Sequence, residues 1–160
     1  MIRLGKLTDY GLVLMTCMAR IDGGTLHTAR DLSLESKLPL STASKLLKIL
    51  LQSGLLISHR GVKGGYSLAR QARAISVAEV IAALEGPIAL TVCSTDILGL
   101  CELERSCPIK TNQRIISQVV RETLENVMLS DLVQPLQFVT IKNSRGKLVP
   151  GIGLHPGRMQ

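Results

Sequence analysis

From Leu7 to Gly54 the apolar residues return at steps of three and four in successive runs, and from Leu55 to Ala69 that period gives way to two strand-like runs around a glycine-rich turn. A group of amphipathic helices followed by a hairpin leaves few architectures open. In the first run Leu7, Tyr10, Leu14, Cys17, Met18 and Ile21 share one helical face, which Asp22-Gly23-Gly24 stops. Thr28-Ala29-Arg30-Asp31 has the form of a capping box and opens a short second helix, with Ala29, Leu32 and Leu38 as core candidates. After Leu38-Pro39-Leu40, Ser41 is expected to cap a third helix that turns Ala43, Leu46, Leu47, Leu50 and Leu51 inward and ends at Gly54. The tight Leu-Pro turn between the second and third helices is what a helix-turn-helix needs. Leu55–His59 and Tyr66–Ala69 read as strands joined by Arg60-Gly61-Val62-Lys63-Gly64-Gly65, a hairpin with a basic tip. Ser76-Val77-Ala78-Glu79 is a second capping box, opening a helix through Val80, Ile81 and Leu84 that Gly86-Pro87 ends.

Residues 88–108 are irregular and hold three of the four cysteines. From Ile109 to Leu132 the series Ile115, Ile116, Val119, Val120, Thr123, Val127, Met128 and Leu132 predicts a helix of about six turns. With no core following it, such a stripe finds either a symmetric copy or the first module. Beyond Gln134, Pro135, Pro150, Pro156 and several glycines predict disorder, apart from a strand over Phe138–Lys142. The expected fold is mainly α: a winged helix-turn-helix module with a small β-hairpin wing over 1–87, a cysteine-rich loop over 88–108, a long dimerisation helix over 109–133 and a flexible tail over 134–160. No internal repeat is visible.

Composition narrows the functions. A chain of 160 residues suits one domain with an arm and is short for a two-domain enzyme. Twenty-seven leucines against three aromatic residues, Tyr10, Tyr66 and Phe138, point to aliphatic helix packing and away from a β-sandwich or a base-stacking platform for single strands. There is no apolar run long enough for a membrane span. The opening is faintly like a signal peptide, but Asp9 interrupts it and no small-residue cleavage site precedes Arg20, so a cytoplasmic location is expected. In that reducing compartment cysteines serve as free thiols, metal ligands or redox sensors more readily than as structural disulfides.

Charge is unevenly placed. Ser36 to Ala78 contains Lys37, Lys45, Lys48, Arg60, Lys63, Arg70 and Arg73 but no Asp or Glu, so it carries the whole formal net charge of +7. It spans the third helix and the hairpin. Hydroxyls and a lysine at the start of that helix (Ser41, Thr42, Ser44, Lys45), with Lys48 a turn on and Arg60 and Lys63 on the wing, are the side chains a major-groove reader of double-stranded DNA would use. Thr28, at the start of the second helix, is a further candidate contact. A solvated basic face is the plain alternative for any one lysine pair.

Cys17 sits on the apolar face of the first helix and reads as core. Cys93, Cys101 and Cys107 are separated by seven and five residues, without the close pairs of structural zinc sites. Soft thiolates at wider spacing suit iron; thiols without ligand role, or a reversible disulfide, are the other readings. None of the three histidines has a nucleophile or acid-base setting, and Gly61–Gly65 opens no helix as a phosphate loop would, so no enzyme and no small-molecule substrate are expected.

Leu7-Thr8-Asp9-Tyr10-Gly11, Ser44-Lys45-Leu46-Leu47-Lys48-Ile49-Leu50, Gly54-Leu55-Leu56, Arg60-Gly61-Val62-Lys63-Gly64-Gly65-Tyr66-Ser67-Leu68-Ala69, Ile75-Ser76-Val77 and Ala83-Leu84-Glu85-Gly86-Pro87 together resemble the IscR and NsrR type of bacterial winged-helix regulators. Leu84 to Cys93 and the cysteines after it look most like the branch that regulates the SUF iron-sulfur assembly operon. The resemblance spans about residues 1–133 and implies a homodimeric, DNA-binding transcriptional repressor. In it a 2Fe-2S cluster, or in some members a 4Fe-4S cluster, is held by Cys93, Cys101 and Cys107. Lys110 stands where the IscR pattern has a histidine ligand, and the first gap is seven residues where the family has five. In the nitric-oxide-sensing pattern an Asp from the partner's first helix is the fourth ligand, and Asp9 matches it; the alternative is that Asp9 caps that helix. His27 is a further candidate, read otherwise as a surface histidine beside a helix start. A clusterless thiol-disulfide regulator and an iron-sulfur carrier or scaffold are the other functions considered.

Overall fold

The computed structural model describes residues 3–21, 25–95, 97, 101–103, 106–142, 146 and 148–153. Its helices are α1 (Lys6–Arg20), α2 (Ala29–Ser36), α3 (Leu40–Gln52), α4 (Val77–Glu85) and α5 (Lys110–Glu125). Strands β1 (Leu56–His59) and β2 (Gly65–Leu68) form one antiparallel hairpin, and β3 (Gln137–Lys142) and β4 (Leu148–Gly153) another. This is the mainly α, winged helix-turn-helix architecture expected. The expected stop at Asp22-Gly23-Gly24 lies outside the described residues.

Helices α1 to α4 close on an aliphatic core in which Leu14, Met15, Leu32, Leu46, Leu47, Leu50, Ile75 and Val80 are fully buried. Each comes from the apolar stripe of its own helix or from the turn before α4, and the opposite stripes face water. Cys17 is buried in the same core. Both capping boxes form: the Asp31 N–H donates to Thr28 Oγ1 at 3.2 Å, and the Glu79 N–H donates to Ser76 Oγ at 3.2 Å. Lys37 ends α2 in the left-handed region (φ 57) and sets the turn into α3.

Four expectations are corrected. Ser41 does not cap α3; the helix starts at Leu40 after Pro39, whose fixed φ (−55) already suits a helix start, and Ala43 N–H donates to the Pro39 carbonyl at 3.0 Å. The long helix is shorter, since α5 ends at Glu125, about 24 Å after its start at 1.5 Å per residue. Val127 and Leu129 leave it to be buried on the first module, with Val77 N–H donating to the Val127 carbonyl and Leu129 N–H to the Ile75 carbonyl, both at 2.8 Å. Burial of two large side chains and two long-range backbone hydrogen bonds outweigh the helical pattern that runs through them. The segment expected to be a flexible tail contains the β3–β4 hairpin: the Phe138–Lys142 strand is there, and the strand opposite it, over Leu148–Gly153, was not foreseen. Residues 154–160 lie outside the described residues. His27 is not on the surface: it is 5% exposed, and its N–H and carbonyl pair with Tyr66 at 2.9 and 2.8 Å.

That pairing adds the α1–α2 connection to the wing as a third extended segment. Gly65 makes it possible, because a Cβ there would lie 2.7 Å from the His27 carbonyl oxygen. At the wing tip Gly61 takes φ +112, a conformation that favours glycine, and accepts the Gly64 N–H at 2.9 Å.

Candidate nucleic-acid interface and cysteine loop

On α3 the buried positions Ala43, Leu46, Leu47 and Leu50 leave Ser41, Ser44, Lys45 and Lys48 exposed along the opposite face, with Thr42 half-buried at its edge. Arg60 and Lys63 are exposed on the wing tip, which His59 Nε2 and Ser67 Oγ brace from within at 2.9 Å. Unlike α2 and α4, α3 begins without a side-chain cap and without an acidic residue in its first turn. Its first amides are therefore left without a side-chain acceptor, and the positive end of its dipole lies beside Ser41 and Ser44 with no carboxylate in that turn.

Thr28 is exposed, but its hydroxyl is engaged in the α2 cap, donating to Asp31 Oδ2 at 2.6 Å while accepting the Asp31 N–H. The Thr28 hydroxyl and then its backbone N–H hold the Asp31 carboxyl below its ordinary value. Two cations of the basic stretch do not join this face. Arg70 pairs with Glu79 and donates to the Ala74 carbonyl, and Arg73 donates to Gln71 Oε1 at 2.7 Å beyond the wing. Burial pushes Glu79 up, but the Ser76 backbone N–H and Arg70 outweigh it and hold the carboxyl low.

Cys93 lies in a short 3-10 turn, Val92–Ser94, with Sγ 3.3 Å from Thr91 Oγ1 and its carbonyl accepting Arg114 Nε at 3.0 Å. The Leu90 N–H donates to the buried Ser117 hydroxyl at 3.0 Å, so α5 grips the loop twice. Sequence periodicity missed both contacts; a lone serine and an arginine on the flank of an apolar stripe carry no signal of the loop they hold. Cys93, Cys101 and Cys107 are half-buried free thiols. Among the described residues no three His, Cys, Asp or Glu side chains converge on a point that would hold a metal ion. Asp9 is exposed in the first turn of α1, which has no side-chain cap, so it is not the capping residue. His27, walled in against the wing, has an Nε2 without a partner among the described residues. For Cys17, burial and then the nearby Glu35 carboxylate push the thiol up, keeping it protonated as a core residue.

No helix among the described residues is long and apolar enough to cross a membrane. A family model described as Rrf2, iron-dependent transcriptional regulator, matches residues 4–135. A Mycobacterium tuberculosis H37Rv protein named as an HTH-type transcriptional regulator, Rv1287, is 31% identical over 133 residues, 81% of this chain and 80% of that protein. Among solved structures, CymR, the global cysteine regulator of B. subtilis, superposes with a TM-score of 0.65 at 27% identity over 83% of this chain and 97% of its own. IscR of T. potens has a TM-score of 0.64 at 24% identity over 82% and 86%, a likeness of fold.

Proposed function

The chain belongs to the Rrf2 family of transcriptional regulators, and from that premise we propose that it is a homodimeric repressor whose hold on double-stranded operator DNA is set by the state of its cysteine loop. The module over 1–87 reads DNA, the loop over 88–108 senses, and the segment 109–133 joins two copies. In this reading α3 lies in the major groove, with Ser41, Thr42, Ser44 and Lys45 toward base edges and Lys48 toward phosphate. Arg60 and Lys63 follow the neighbouring backbone, and Thr28 lies at its margin. One observation carries the reading: four exposed cations, Lys45, Lys48, Arg60 and Lys63, stand on one helix face and one wing tip within a stretch that has no carboxylate. Ile115, Ile116 and Val119 on α5 are each at least half exposed, which supports a second copy as their cover. The test is operator titration against salt. Lys48→Ala and Arg60→Ala should each lower the slope of log affinity on log salt by about 0.9; unchanged slopes in both refute this docking.

For the loop, the donor chemistry fits an iron-sulfur cluster of the 2Fe-2S type: Cys93, Cys101 and Cys107 are soft ligands in one segment, and Asp9 of the partner subunit is the proposed fourth. Bound there, the cluster would supply a redox-active centre beside α5, with genes for SUF iron-sulfur assembly as the target. A modest coupling is enough, since about 1.4 kcal/mol is tenfold in affinity. After anaerobic reconstitution the protein should be coloured and hold iron, and Cys101→Ala should bleach it; a colourless, iron-free wild type ends this assignment. The likeness to CymR favours a second reading, in which two loop thiols form a reversible disulfide. Loss of two titratable thiols on peroxide treatment, restored by reductant, is its signature.

A further inference from the structure

We infer that the groove between α5 and the Val92–Ser94 turn is a binding site for a small dianionic oxyanion, separate from the DNA face; binding there stands apart from the function proposed above, and only its link to the cysteine loop rests on that reading. Arg114, Gln118 and Arg121 stand at i, i+4 and i+7 on one side of α5, and Ser94 and Thr95 line the other wall of a pocket of about 230 Å³. Among the described residues none of the lining side chains is a carboxylate. Two guanidinium forks and the Ser94 hydroxyl are donors that oxyanions select, while the Thr95 hydroxyl, which donates to the Val92 carbonyl at 2.7 Å, shapes the wall beside them.

The walls are fixed in place. Ser117, 3% exposed, accepts the Leu90 N–H, Thr91 Oγ1 and Ser94 Oγ are 2.7 Å apart, and Arg114 Nε donates to the Cys93 carbonyl at 3.0 Å. That last bond uses one of the five N–H donors of Arg114. Arg121 lies 3.6 Å from Glu125 and donates to Gln118 Oε1, and the Gln118 amide in turn donates to Glu122, but these side chains are exposed, so an anion competes with weak surface contacts. Seven residues of helix separate the two arginines by about 10 Å, a span that suits phosphate gripped from both ends or a four-carbon dicarboxylate. Because Arg114 serves both the pocket and the carbonyl of Cys93, occupancy and the state of the loop are linked, and the linkage is reciprocal.

The full chain is titrated calorimetrically with inorganic phosphate and, separately, with succinate, at ionic strength held constant with chloride, and iodoacetamide labelling of Cys93 is timed in parallel. Saturable binding of at least one probe is expected, about tenfold weaker in Arg114→Gln and in Arg121→Gln, and unchanged in Lys45→Ala/Lys48→Ala. The probe that binds tells phosphate chemistry from dicarboxylate, and its binding should slow Cys93 labelling. Should an arginine variant fail to fold by circular dichroism, Ser94→Ala/Thr95→Val provides the same comparison. Heat that chloride alone reproduces, or binding lost in the lysine variant and kept in the arginine variants, overturns the site; labelling that ignores a bound probe overturns the link to the loop.

Discussion

Replacing Gly65 by alanine tests the joint between the wing and the core. Gly65 does not have a left-handed φ, so alanine brings no torsional penalty, and the whole effect is contact. The added methyl would stand 2.7 Å from the His27 carbonyl oxygen and 3.0 Å from its carbonyl carbon. Both are backbone atoms, and neither can swing aside as a side-chain tip would. The strand must part from His27, and the two bonds to Tyr66, 2.9 and 2.8 Å, go with it. At about 1 kcal/mol per bond, with about 1–3 kcal/mol for the displaced packing and a gain of about 0.4–1 kcal/mol from the stiffer unfolded chain, the net loss is about 2–4.6 kcal/mol. Urea unfolding followed by circular dichroism measures it, with Ser58→Ala on the exposed side of β1 as a control expected within about 0.5 kcal/mol. A wing moved off its seat also withdraws Arg60 and Lys63, so the salt slope of operator binding should fall by about 2. A Gly65→Ala protein as stable as the control, with an unaltered slope, refutes the argument that this contact seats the wing.

Three other outcomes are expected. Leu129→Ala, which empties a fully buried position, should cost about 2–5 kcal/mol in the same urea assay, against almost nothing if the segment after α5 merely rests on the module. Ile115→Glu, at a position 56% exposed, should leave the helical circular dichroism signal of the chain in place while sedimentation shows dimer falling to monomer; a variant that stays dimeric removes α5 from the interface. Asp31 and Glu79 both have folded-state pKa values below their ordinary ones, so the stability they contribute is complete above the ordinary carboxylate range near pH ~4 and drains away as pH falls through the lower folded values. Asp31→Asn and Glu79→Gln should therefore each flatten the acid limb of the stability curve, and superimposable acid limbs would show that the caps do not titrate as described.

What could be read from sequence was whatever a short window decides. The stripes of α1 to α4, short of Ile21, which lies past the end of α1 and is 48% exposed, the boxes at Thr28 and Ser76 and the turn around Gly61 are local patterns, and each is found where its residues stand. Apart from Ser41, where the neighbouring Pro39 starts the helix early, the errors lie where distant chain overrides a local pattern. Val127 and Leu129 keep helical spacing with α5, yet their burial is decided by Ile75 and Val77, some fifty residues earlier. His27 reads as a polar residue beside a cap, but the wing closes over it. Arg70 counts as one more positive charge until Glu79, the first carboxylate after the basic stretch, is found bonded to it. For the DNA face the exposed residues on α3 and the wing follow from periodicity alone; the cysteine loop has no period, so its three ligand candidates rest on residue type and on resemblance.

The two hydrogen bonds that return the chain after α5 to the turn before α4 have a mechanical meaning. With Leu90 and Cys93 of the loop bonded to Ser117 and Arg114 in the first half of α5, and Val127 and Leu129 just past its end held on the module that carries α3, the helix is splinted to the loop on one side and to the module on the other. A disturbance at the loop cannot swing α5 away like a free lever. Within one chain, helix and reading head turn as a unit, and in the proposed dimer any change in the gap between two reading heads is taken up at the seam between copies.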